Sequence, residues 1–281
     1  MLRTLASLGS LIVAGATLAA EPVTKPIKLF NGKDMTNFYT YLVAAKKGEP
    51  PLGKNNDPNK VFTVVDGAIR VSGEIYGCFT TEKEYENYHL IVEFKWGTKT
   101  WGSREKATMD SGILLHCVGE DGGSSYSKDG KPTGPWMESV ECQMIEGGTG
   151  DFILVGGKGK PKLTATVEYR STPSGQDKKK QPYYDPKGKS VEFSGGRINW
   201  FGRDPDWKDV KGFRGKNDVE KIAGEWNTLE CVCDGNKITN ILNSVVVNAG
   251  TNSTHAKGKI LFQSEGAEVF FRRIELLPLK K

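Results

Sequence analysis

The sequence predicts an all-β fold: two antiparallel sheets packed face to face as a sandwich or jelly roll. Three observations predict it. Strand-like apolar alternation recurs along the chain with turn signals between the runs. No long stretch carries helical periodicity. The 281 residues include 34 Gly and 13 Pro, a composition suited to many turns.

Taken in order, the chain opens with Arg3 and an apolar run from Leu5 to Ala20, and Thr17-Leu-Ala-Ala20 precedes Glu21. This reads as a secretory leader over residues 1–20, too short for a membrane span, and no later segment is a transmembrane candidate. Residues 21–281 then read as one domain. Ile27 to Phe30 is a first strand, and Ala44 to Lys60 is a loop. Val61 to Val65 and Ala68 to Ser72 flank Asp66-Gly67, a strong hairpin signal. Tyr76 to Thr81 is a short strand. His89 to Trp96 alternates, with Leu90, Val92, Phe94 and Trp96 inward. Glu120 to Pro135 is a Gly/Ser-rich loop ending at Trp136. Asp151 to Val155 is a strand, whereas Gly156 to Lys189, with Lys178-Lys-Lys180, reads as a polar excursion from the core. Val191 to Trp200 gives two short strands, and Phe201 to Ala223 is irregular and charged. A meander runs over Trp226 to Asp234, Lys237 to Leu242 and Val245 to Asn248. Gly258 to Ser264 and Glu268 to Leu277 close the fold.

Net charge is +5, falling by one without Arg3, and the basic residues are interspersed with acidic ones. That describes a solvated surface and argues against a nucleic-acid partner. The five cysteines, an odd number, read first as buried small hydrophobes, with one disulfide open to an exported protein. Asn252-Ser-Thr254 matches a glycosylation sequon and reads as coincidence.

Two strands carry the chemistry. Side chains alternate between faces along a strand. In Asp110-Ser-Gly-Ile-Leu-Leu-His-Cys117, this sets Ile113, Leu115 and Cys117 on an apolar face and Asp110, Gly112, Leu114 and His116 on the other. In Glu138-Ser-Val-Glu-Cys-Gln-Met-Ile-Glu146, Val140, Cys142 and Met144 are apolar, opposite Glu141 and Gln143. With the apolar faces together, Asp110, His116, Glu141 and Gln143 line one surface, and ionisable clusters on rigid sheets are candidate sites. Glu138 and Glu146 fall on the face opposite Glu141, which is not the carboxylate pairing of a retaining glucanase. Trp136 is placed to stack on a sugar or to plug the core, with Trp101 and Trp200 as weaker stacking candidates.

Several segments together resemble the 3-keto-disaccharide hydrolase domain family: Leu29-Phe-Asn-Gly-Lys-Asp34, Asp110-Ser-Gly-Ile113, Glu141-Cys-Gln143 where the family often has Glu-Tyr-Gln, Gly224-Glu-Trp-Asn-Thr228, Gly258-Lys-Ile260 and Phe271-Arg-Arg-Ile274. The chain departs from the common pattern at His116, where many relatives have Arg, and at Ser264-Glu-Gly266, where others have Asp-His-Gly. The resemblance implies a concanavalin-like jelly roll, an exported bacterial protein and cleavage of glycosides oxidised at carbon 3. A 3-keto group acidifies the carbon 2 proton, so a base can remove it and the group on carbon 1 can leave. On this expectation Glu141 and His116 are base and acid, and Asp110 or Asp151 orients His116 or holds a divalent metal ion. Gln143 and Arg272 contact the sugar, Trp136 stacks on it, and Asp151 lies nearby. The alternatives are a non-catalytic carbohydrate-binding module and a structural domain on the same fold.

Overall fold

The computed structural model describes residues 20–46, 48–171 and 180–280, so most of the expected leader and Lys178-Lys179 lie outside the described residues. Two sheets stack as a sandwich. The first, here the site sheet, runs Gly196–Ile198, Phe152–Val155, Glu138–Ile145, Asp110–Val118, Lys257–Ser264, Gly77–Thr81, Phe38–Leu42, Gly53–Lys54. The second, the back sheet, runs Gln181–Tyr184, Leu163–Arg170, Val245–Thr251, Lys237–Leu242, Asn227–Asp234, Tyr88–Thr100, Ala267–Leu277, Ala68–Val71, Phe62–Val65. All of these pairings are antiparallel. Among the described residues the one helical element is a short turn at Gly102–Arg104, and no helix is long and apolar enough to cross a membrane.

The alternation read in the sequence explains the packing. Ile113, Leu115, Val140, Cys142 and Met144 on the site sheet face Leu90, Val92, Phe94, Phe271 and Ile274 on the back sheet, all in one core cluster. Phe79 and Phe262 stack at 4.6 Å, with Phe271 edge-on at 5.7 and 5.4 Å. Truncating such a ring to Ala typically costs about 3–5 kcal/mol. The hairpin at Asp66-Gly67 forms with both residues at positive φ, 50° and 74°, as a two-residue turn with right-handed strand twist requires.

Two readings are corrected and one unread strand is added. Gly156 to Lys189 is not wholly an excursion: Leu163–Arg170 is a back-sheet strand with Leu163, Ala165 and Val167 buried in the core. Its alternation uses small residues in a Lys- and Gly-rich context, which masked it. Phe38–Leu42 is also a strand, and its largely buried apolar residues on both faces gave no alternation to read. Cys117 does not join Ile113 and Leu115, because a β-bulge between Leu115 and Val118 reverses the parity and turns it towards Leu114 and Leu261. All five cysteines are buried free thiols.

Candidate active site

The outer face of the site sheet is divided. Over one half, Leu114, Tyr41, Cys78, Cys117 and Leu261 form a small apolar cluster capped by Met137 and Trp136. The loop before Trp136 closes on itself through Ser124 N–H to the Trp136 carbonyl (2.8 Å) and Gly134 N–H to the Gly122 carbonyl (2.8 Å). Tyr39 pins it by donating to Asp121 Oδ1 at 2.8 Å. Trp136 donates to the Gly77 carbonyl (3.1 Å) and stacks on Tyr76, with ring centroids 6.3 Å apart. Both rings are half-buried, and Tyr76 lies near enough to Arg104 to act on its charge.

That other half is polar and centres on Gly112. Register places Gln143 directly across from Gly112 on one side, and Glu141 across from the next residue, Leu114. The pairing of Ile113 with Phe262 and Leu114 with Leu261 brings Gln263 alongside Gly112 on the other side. A Cβ on Gly112 would sit 2.2 Å from Glu141 Oε1 and 2.4 Å from Gln263 Oε1. Glycine is therefore required here by close approach: both polar side chains lean over the space a methyl would fill. Asp110 is buried at the start of its strand and pairs with Arg104. Arg104 is held in turn by Asp209 at 3.0 Å, from the irregular segment after Phe201. That segment is strapped to the sheet ends by Trp207 Nε1–H to the Glu146 carbonyl (2.8 Å), and by Glu146 Oε2 accepting from Met109 and Gly212 N–H groups, each at 2.9 Å.

The electrostatics follow from three carboxyl groups in one desolvated patch. Burial pushes Glu141 up to about 8 and the charge of Asp110 adds to it, while Arg197 and Gln263 oppose. Burial raises Asp110 to about 6 against the pull of Arg104 and Arg197. Glu265 is raised well above the usual carboxylate range by burial, then by Asp110 and Glu141. The three share protons at neutral pH. Asp110 Oδ1, Gln143 Oε1 and both polar atoms of Gln263, Oε1 and Nε2, are buried without a hydrogen-bond partner. Buried polar atoms are nearly always paired, so this group is organised for something that both donates and accepts hydrogen bonds.

The structure brings Asp110, Glu141 and Gln143 together and leaves other expected site residues elsewhere. Asp151 is fully buried, accepts from Trp200 N–H (2.7 Å), Arg197 (2.6 Å) and Arg203, and its charge adds to the rise of Glu141. It also positions Arg197. His116 is not beside Glu141. At the bulge it adopts φ +54° and packs edge-on against Tyr88 of the inter-sheet core, with centroids 5.5 Å apart. Its Nδ1 donates to the His255 carbonyl at 2.8 Å, and burial lowers its pKa to about 4. It is a neutral core histidine. Arg272 is half-exposed on the outer face of the back sheet, paired with Glu93 and lying 4.2 Å over the Trp226 ring, on the far side of the sandwich. Trp200 is buried, and Trp101 donates to the Ser72 carbonyl at 2.9 Å.

Arg104, Arg197, Gln263 and Glu265 were missed. Gln263 had a signal, a lone amide in the apolar strand Ile260-Leu-Phe-Gln263, and Glu265 stood in Ser264-Glu-Gly266, where the chain departs from the family pattern. Among the described residues no group of three or more His, Cys, Asp or Glu is placed to hold a metal. Asp110 is bound to a guanidinium and two guanidinium groups face the cluster, so the donor set does not fit a divalent ion.

A family profile described as the 3-keto-alpha-glucoside-1,2-lyase-like domain matches residues 25–277. No curated protein matches the chain. Among solved structures, a candidate glycosyl hydrolase from Parabacteroides distasonis is 17% identical, covering 91% of this chain and 94% of that one, with a TM-score of 0.49. A β-glucanase from Bacillus licheniformis is 12% identical, with 91% and 99% covered and a TM-score of 0.41. Carbohydrate-binding module CBM66 from Bacillus subtilis is 9% identical, with 85% and 94% covered and a TM-score of 0.35.

Proposed function

This chain belongs to the carbohydrate-active 3-keto-α-glucoside-1,2-lyase-like family, and from that premise we propose that it cleaves 3-keto-glycosides by base-assisted elimination followed by hydration. The observation that carries the reading is the convergence of Asp110, Glu141 and Glu265 in one patch, with Glu141 and Gln263 filling the space beside Gly112 and the charges of Arg104 and Arg197 acting on the acids. Glu141 is the base. A carboxylate desolvated to about 8 takes a carbon-bound proton far better than an exposed one. Asp110, ionised above about 6 and fixed by Arg104, keeps Glu141 basic.

Removal of the carbon 2 proton leaves its electron pair shared with the ketone as an enolate. Arg197 spends one Nη1–H on Asp151 and makes no other hydrogen bond with a described residue, so its remaining N–H groups are free for the oxygen at carbon 3. Gln143 Oε1 and Gln263 Oε1 accept from sugar hydroxyls, and the Trp136–Tyr76 pair offers an apolar wall at the rim. The enolate electrons then form the carbon 1–carbon 2 double bond as the carbon 1–oxygen bond breaks. Water adds back across it, oxygen to carbon 1 and hydrogen to carbon 2, for net hydrolysis. A simple binding module would use the rim and the amides without needing coupled carboxyl groups. Arg3 and the apolar run to Ala20 support export of the protein, which N-terminal sequencing of the secreted form would check.

The test is incubation of a 3-keto-glucoside and its unoxidised parent in deuterated water. The keto sugar should exchange its carbon 2 proton and release its aglycone, and the parent should do neither. Equal cleavage of both would overturn elimination.

A further inference from the structure

Elimination needs a proton for the departing oxygen, and the expected donor, His116, lies in the core, neutral and turned towards Tyr88. We propose that Glu265 is the residue that protonates the glycosidic oxygen as it leaves. The inference rests on the elimination reading above.

Four observations place it. Leu261 and Gln263 are on the site face, and continuing the strand's alternation and its register with Leu114 and Ile113 sets Glu265 on that face beside Asp110. Its backbone is held on both sides: Ser264 Oγ–H donates to the Ile75 carbonyl (2.7 Å), Gly266 N–H to the Gly73 carbonyl (3.0 Å), and Trp101 N–H to the Gly266 carbonyl (2.8 Å). Glu265 is partly exposed as a residue, and its carboxyl group makes no hydrogen bond or ion pair with any described residue. The other acids of the patch are committed: Asp110 is bound to Arg104, and Glu141 leans over Gly112 beside Gln263.

The charged groups facing Glu265 are Asp110, Glu141, Arg104 and Arg197. Burial and the two carboxyl neighbours outweigh the two arginines and shift it towards the protonated form, which a proton donor requires. The cycle balances. Glu141 takes the carbon 2 proton, the carbon 1–oxygen bond breaks, and the Glu265 proton goes to the leaving oxygen. Glu265, now a carboxylate, takes a proton from the water that attacks carbon 1, and Glu141 returns its proton to carbon 2. Both acids end as they began.

A general acid matters most when the leaving group is a poor one. In Glu265→Gln, turnover of an alkyl 3-keto-glucoside should fall about 10²–10⁴-fold. Release of 4-nitrophenolate from the 4-nitrophenyl 3-keto-glucoside in the elimination step, read in a single turnover before hydration, should fall less than about tenfold, since that leaving group departs unprotonated, and carbon 2 exchange should persist. Glu265→Asp, which retains an acidic proton, should recover part of the alkyl activity. Equal losses on both substrates, or loss of carbon 2 exchange in Glu265→Gln, would overturn the donor assignment while elimination stood. Wild-type protein that neither exchanges the carbon 2 proton nor prefers the keto sugar would overturn elimination and the donor with it.

Discussion

Two buried glutamates in this protein, Glu141 and Glu220, are both raised to about 8 and are built for opposite ends. Glu220 is satisfied on every side. Trp96 Nε1–H donates to Oε1, and Oε2 shares a bond with the Thr149 hydroxyl at 2.7 Å. That hydroxyl also reaches the Ile145 carbonyl at 3.2 Å. A hydroxyl has one proton and a carbonyl only accepts, so both bonds form at once when the acid supplies the proton to Thr149. Glu220 is a neutral clasp that holds the strap after Phe201 to the end of the sandwich. Glu141 has the same elevated pKa, but other acids surround it, a glycine lies beneath it and unpaired amide oxygens flank it. An elevated pKa therefore identifies desolvation, and the surrounding hydrogen bonds separate a strut from a working group.

The largest expected effect tests that contrast. Glu141→Gln should lower kcat on a 3-keto-glycoside by about 10²–10⁴-fold. Because it removes a destabilised acid, it should leave the melting temperature unchanged or raise it at alkaline pH, as calorimetry would show. In the wild type, kcat/KM should rise with pH as Glu141 loses its proton near 8, since a base works only when ionised. A profile flat across that region would take the base away from Glu141.

Gly112→Ala comes next. Its methyl must displace Glu141 and Gln263 from contacts of 2.2 and 2.4 Å, so activity should fall at least about tenfold with far-UV circular dichroism preserved. Undisturbed kinetics would mean that the floor of the patch does not touch the substrate.

Glu220→Gln should sharpen the comparison from the other side. Its amide can accept from Trp96 and donate to Thr149, so turnover should stay within about twofold of wild type. An acid with a raised folded-state pKa is neutral in both states below about 4.5, and the unfolded state ionises first above that value. Stability is therefore lost progressively as pH rises towards about 8. Glu220→Gln should remove much of that loss, roughly 2–4 kcal/mol between pH 5 and pH 9 by urea titration. Identical pH–stability curves for variant and wild type would refute the clasp.

The smallest effects belong to His116 and Arg272. His116→Asn, which tolerates positive φ, should cost about 1–2 kcal/mol of stability and leave the pH–rate profile in place. Arg272→Ala should change kcat/KM less than twofold. A shifted profile in the first, or a raised KM in the second, would return that residue to the site.

The contrast also marks what the sequence could convey. Alternation is a local signal, so it located the Leu90 to Trp96 strand, the hairpin at Asp66-Gly67, and Asp110, Glu141 and Gln143 on one face. Parity fails where a strand changes its count. Nothing in Leu115-His-Cys117 announces a bulge, and beyond it the assigned faces of His116 and Cys117 were reversed. Arg104, Arg197 and Glu265 come from connections and short strands far apart in the chain, and they become neighbours only through sheet order. Arg272 shares a strand with core residues Phe271 and Ile274 but looks out from the other side of the sandwich.

One consequence of packing Asp110, Glu141 and Glu265 together is thermodynamic. A patch that holds protons between three sites acts as a local buffer, and any ligand that displaces water from it changes how many it holds. Binding of an uncharged keto sugar should therefore take up or release a fraction of a proton. Calorimetry in buffers of different ionisation enthalpy would then give different apparent binding heats for the same affinity, and their slope would count the protons moved.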